Sequence, residues 1–114
     1  PICQGEAGNV NTLFNLIQSD AALKKNIRMI GIGTGNSQFE ADFFKSNYKI
    51  EFPLFSDPDY VIHKKVGEVG TPHFFGLKKV NGKGVELFFS HSGRIPEPEK
   101  ILESLKQASG MEFE

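Results

Sequence analysis

Residues 69–92 read Val69-Gly70-Thr71-Pro72-His73-Phe74-Phe75-Gly76-Leu77-Lys78-Lys79-Val80, then Asn81-Gly82-Lys83-Gly84, then Val85-Glu86-Leu87-Phe88-Phe89-Ser90-His91-Ser92. His73 to Val80 and Val85 to Ser92 are two strand-like runs, and Asn81-Gly82-Lys83-Gly84 between them signals a hairpin. Pro72 lacks the N–H that a central strand needs, so it belongs at an edge, a bend or a strand start. A cis peptide at Thr71-Pro72 would place the preceding backbone in an exposed bend. A trans proline that simply opens the strand is the alternative.

Downstream of the hairpin, residues 93–98 form a loop. A last helix then follows Pro98, with Ile101, Leu102, Leu105 and Ala108 on one face and a charged, solvated face around residues 97–106. Upstream, Phe52-Pro53-Leu54-Phe55-Ser56-Asp57-Pro58 is an extended stretch leading into a turn. Asp57 is placed to cap a short helix with Pro58 as its first residue; it runs through Val61, Ile62 and Val66 and stops at Gly67. Ser37-Gln38-Phe39-Glu40 fits a capping box, and Phe39, Phe43 and Phe44 give the helix that follows, ending near Asn47, an aromatic face. Ile27 to Gly33 is short, apolar and β-branched, which suits a buried parallel strand. Val10, Leu13, Phe14 and Ile17 recur at helical spacing, so a helix over 9–18 reaches back toward Cys3.

The predicted order is thus helix, strand, helix, short helix, hairpin, helix. A helix with an apolar stripe comes first, whereas a strand–helix–strand unit requires a strand before it. The 114 residues suffice for a single domain, 1–114, without internal repeats. Thirteen Lys and Arg against 14 Asp and Glu give no electrostatic reason for nucleic acid or anionic membrane as a partner. No apolar run approaches the ~20 residues of a membrane span. Eleven Phe and no Trp predict a Phe-rich core.

Cys3 is the one cysteine, which excludes an internal disulfide and a cysteine-rich zinc site within these residues. It precedes a predicted helix, where amide N–H groups and the helix dipole favour a thiolate. The alternative is an ordinary small apolar residue. His63, His73 and His91 lack ligand spacing and read as solvated or structural; His73 would lie near the thiol if Pro72 is cis. Gly31-Ile32-Gly33-Thr34-Gly35-Asn36 lacks the third glycine of a dinucleotide-binding loop, and reads as a glycine-rich loop after a strand.

Pro1-Ile2-Cys3-Gln4 resembles the tail of a Cys-Pro-x-Cys motif. Residues 52–58 are similar to the segment before a short helix in peroxiredoxin-like proteins. Val66-Gly67, Val69-Gly70-Thr71-Pro72 and the hairpin resemble the cis-proline half of the same families. In order and spacing these resemble the thioredoxin-like superfamily, in its redoxin group of alkyl hydroperoxide reductase-like and thiol-disulfide interchange proteins.

The resemblance implies an α/β, thioredoxin-like fold: a central mixed β-sheet flanked by helices, here lacking its N-terminal strand. It implies a thiol-disulfide oxidoreductase in which a cysteine preceding Pro1 is the nucleophile and Cys3 the resolving thiol. Pro1 and Ile2 would tune the redox potential, and Thr71 and Pro72 would bind an extended substrate segment. No cofactor or metal is implied. Partners would be protein thiols or disulfides and a redox protein supplying electrons, with a location in the bacterial cell envelope. The peroxidase branch fits less well, because neither Arg28 nor Arg94 stands at the Thr71-Pro72 position. A redox-inactive binding module is the third reading. Loss of a central strand would open the edges of Ile27 to Gly33 and of His73 to Val80. The expectation is closure by strand exchange in a dimer, by a further segment or by rearranged pairing.

Overall fold

A computed structural model describes residues 5–67, 70, 72–79 and 84–111. The chain is mixed α/β, with helices and two small sheets. Helix α1 spans Ala7–Gln18 and α2 Ala21–Asn26; strand β1 is Gly31–Thr34, α3 Gln38–Asn47, β2 Leu54–Asp57 and α4 Val61–Lys65. The hairpin strands are β3, His73–Lys79, and β4, Val85–Ser92, and α5 spans Pro98–Ser109.

β1 and β2 pair in parallel from Gly31 opposite Leu54 to Thr34 opposite Asp57. β3 and β4 pair antiparallel from His73 opposite Ser92 to Lys79 opposite Val85, with an irregularity between Gly76 and Leu77. The two pairs are separate sheets, and β1 is not hydrogen-bonded to β3. The two strands whose edges the missing central strand would open are therefore not paired with each other.

Two apolar clusters hold the helices to the strands. The first gathers Leu13 and Ile17 of α1, Leu23 of α2, Ile95 of the 93–97 loop and Leu102 of α5, with Phe74 of β3 packed against it. The second gathers Ala7, Ile50 and Phe52, with Val10, Phe14, Phe44 and Leu54 around them. Since α1 supplies residues to both, it bridges the two sheets. Of the phenylalanines only Phe52 is fully buried among the described residues, so the core is less Phe-rich than composition suggests.

The capping box forms as read: Glu40 N–H donates to Ser37 Oγ, and Ser37 N–H to Glu40 Oε1. The aromatic face of α3 does not pack as a unit. Phe44 meets Tyr48 at 4.8 Å between ring centres, whereas Phe39 and Phe43 are exposed. A second short helix, α2, escaped the apolar-spacing argument; Asp20 Oδ1 caps it by accepting from Ala22 and Leu23 N–H.

The first strand is shorter and later than Ile27 to Gly33, because its partner sets its length. The ladder begins where Gly31 N–H donates to the Pro53 carbonyl and runs only as far as β2 does. Gly31 and Gly33 are consequently strand rather than loop. A Cβ on Gly31 would collide with the Leu54 side chain, so glycine there permits the close approach. On α5, Ala108 faces solvent and Ser109 is buried instead, its carbonyl accepting from Lys78 Nζ at 3.0 Å.

Asp57 caps α4, but not with Pro58 as the first helical residue. Residues 58–60 make a turn, Tyr60 takes a left-handed conformation, and the helix starts at Val61. The buried Asp57 carboxylate accepts from Val61 and Ile62 N–H through Oδ1 and from His63 N–H through Oδ2, at 2.9, 3.2 and 2.9 Å. Burial works to raise its pKa, but these N–H donors and the His63 ring together hold it below the ordinary 3.8. The folded chain therefore binds this proton less readily than the unfolded chain. The stabilisation is complete above the unfolded value and disappears as pH falls through the lower folded one. Asp57→Asn should lower the urea midpoint near neutral pH, and the gap from wild type should close on acidification. A gap unchanged down to about pH 2 would exclude this linkage.

Candidate functional site

Of the residues singled out by sequence, Pro1, Ile2, Cys3 and Thr71 lie outside the described residues. Pro72 lies within them, half-buried at the start of β3. Its carbonyl accepts from Gly93 N–H at 2.9 Å, which extends the hairpin ladder by one step to the turn after β4.

The same turn holds the beginning of α1. Arg94 Nη2 donates to the Gly5 carbonyl at 2.9 Å, and Arg94 Nε lies 3.5 Å from Glu6 Oε1. Glu6 is 2% exposed. Its Oε2 accepts from Ile95 N–H at 2.7 Å and its Oε1 from Asn9 Nδ2 at 2.6 Å. Residues 93–95 thus tie Gly5 and Glu6 on one side to Pro72 on the other. The start of α1 and the start of β3, distant in sequence, meet at one corner.

Two histidines border it. His91 Nε2 donates to the Arg94 carbonyl at 3.1 Å, helping to fix the turn. His73 Nε2 and Ser90 Oγ share a hydrogen bond at 2.6 Å across the ladder, and the His73 ring lies 4.5 Å from that of Phe75. His73 Nδ1 is buried without a hydrogen-bond partner among the described residues. His63, by contrast, sits on α4 against Tyr60, as part of the Asp57 cap.

Sequence reasoning missed Glu6 and the role of Arg94. A glutamate beside a helix start reads as solvated by default, and an arginine in a Gly/Pro loop has no periodicity to place it. Arg28, the other arginine, lies before β1 and lines a different cleft. Among the described residues no three His, Asp or Glu side chains gather where they could hold a metal ion, and no helix is long and apolar enough to cross a membrane.

Chemically the corner offers a rigid backbone frame: a helix start, a proline-opened strand and a charged clamp between them. No protein family, curated protein or solved structure matches the chain.

Proposed function

We propose that the chain is a thiol-disulfide oxidoreductase of thioredoxin-like type, in the redoxin group, with Cys3 as the resolving thiol of a Cys-Pro-Ile-Cys dithiol. One observation carries the reading. The turn at 93–95 links the first residues of α1 to the Pro72 carbonyl, and Cys3 stands only two residues before Gly5. A thiol at the helix start and a substrate strand beside Thr71-Pro72 would then share one corner.

In this mechanism the thiolate of the cysteine preceding Pro1 attacks one sulfur of a substrate disulfide. The substrate S–S bond breaks, the other sulfur leaves as a thiolate and takes a proton, and a mixed disulfide remains. The Cys3 thiolate then attacks the protein-side sulfur of that mixed disulfide and releases the second substrate thiolate. Two electrons have passed to the substrate, and the protein holds the disulfide until a partner dithiol reduces it. In this reading, a helix start beside Cys3 would favour its thiolate form.

The test is a single-turnover disulfide-reduction assay, in which the full native chain is reduced, freed of reductant and mixed with a substrate disulfide. Cys3→Ser should fail to complete turnover and accumulate a mixed disulfide visible by intact-mass measurement. Unchanged turnover in that variant would remove Cys3 from the mechanism.

A further inference from the structure

We infer that the cleft between α2 and the runs leading into β1 and β2 binds an amphipathic carboxylate, a single carboxylate head on an unbranched apolar tail. This stands independently of the thiol chemistry, because the cleft lies toward the far end of α1. The corner around Pro72 gathers at the start of that helix, whereas Phe14 and Gln18 of its second half line the cleft. The 12 residues of α1 span about 18 Å.

The cleft opens because two runs of chain part. Gly31 N–H donates to the Pro53 carbonyl, and among the described residues no backbone bond joins residues 27–30 to 51–53 upstream of it. Lys45 Nζ donates to the Ile50 and Phe52 carbonyls at 2.9 and 2.7 Å, which ties that wall to α3. Leu23, in the first core cluster, holds α2 in place. The walls are thus fixed by packing that a ligand need not disturb. Lying between the two runs, the cleft is on the β2 side of residues 27–30, away from the open edge of β1.

Its volume is about 680 Å³, within the range of small-molecule sites. The lining is largely apolar. The Phe14 and Phe52 rings lie 5.6 Å apart, and Ile30, which shares the lining, is 57% exposed. Removing such surface from water drives binding of an apolar tail.

Charge then sets the head. Ala21, Lys24 and Lys25 stand at i, i+3 and i+4, hence on one face of α2, and all three line the cleft, as does Arg28. Ala21 leaves room beside the helix. Long lysine stems lie along apolar surface while their ammonium groups stay in water. Lys24, Lys25 and Arg28 have no ion-pair partner among the described residues, and Glu51 is the one carboxylate in the lining. Three cations against one carboxylate favour an anionic head. Glu51, on the 51–53 wall, disfavours a second carboxylate on the same ligand.

The experiment titrates the full native chain with sodium decanoate below its micellar range, read by calorimetry and by backbone amide shifts in NMR. Saturable binding is expected, with the largest shifts at Phe14, Ala21, Lys25 and Phe52. Decyltrimethylammonium should bind at least about tenfold more weakly. Lys24→Glu with Arg28→Glu should weaken decanoate binding about tenfold. Ala21→Trp, which fills the cleft without changing charge, should abolish it. These three residues are exposed, so both variants should keep the wild-type circular dichroism. Four results would overturn the inference. One is binding that does not saturate below the micellar range, meaning unspecific partition. Another is equal binding of the cationic amphiphile. The third is wild-type affinity in Ala21→Trp, and the fourth is a set of largest shifts outside the cleft.

Discussion

Glu6→Ala should lower the free energy of unfolding by about 3 kcal/mol, chiefly by orphaning a buried donor rather than by losing an ion pair. The Glu6 side chain is 2% exposed and accepts from Ile95 N–H at 2.7 Å, and Ile95 is itself fully buried. Removing the carboxylate leaves that N–H without a partner and opens space beneath α1. The Arg94 contribution is smaller, since its side chain is half exposed and water screens the pair. Glu6→Gln keeps an acceptor for Ile95 and should cost only about 1 kcal/mol. Urea denaturation of both variants checks this order. An alanine variant within about 0.5 kcal/mol of wild type would show that the clamp contributes little.

Ile95→Ala should be comparably severe, at about 3 kcal/mol, with a fall in Tm of roughly 10 °C. Ile95 is 0% exposed and packs with Leu13, Ile17, Leu23 and Leu102. Truncation removes three carbons from a site walled by three helices, α1, α2 and α5, which cannot all collapse inward. Ile95→Val should cost about 1 kcal/mol, because one methylene group leaves a far smaller void. Calorimetry of the pair checks the ratio. Equal losses for both would mean that backbone geometry, rather than cavity formation, sets the cost.

How far the sequence could be read follows from these same residues. Periodicity found α1 and α5, since each shows one face to a neighbour and another to water, while the turn residues at 81–84 marked the hairpin. Ser37 and Glu40 marked a helix start because the cap is made by adjacent side chains. The short helix at 21–26 has too few residues for a stripe, and its signal was Asp20 alone. The late start of β1 was invisible for another reason: Ile27 to Ile30 are good strand formers, but a strand also needs a partner at the right register, and β2 begins only at Leu54. At the candidate site, Pro72 was legible as a strand opening because its ring forbids most other places. Glu6 and Arg94 were not, because their meeting depends on tertiary closure and neither has a local signature. Ile95 shows the same limit, as a core residue in a stretch that composition marks as loop.

The bond from Ile95 N–H to Glu6 joins residues 89 apart in sequence. Closing a flexible loop of that length carries an entropic cost of about 4 kcal/mol beyond its constant term. β1–β2 and β3–β4 each close over far shorter stretches, so each can assemble before the chain ends are brought together. The Glu6 clamp then belongs to the late part of folding and the early part of unfolding. It acts as a latch on lifetime: the residues at the corner that frames Pro72 govern how long the native state survives more than how fast it forms.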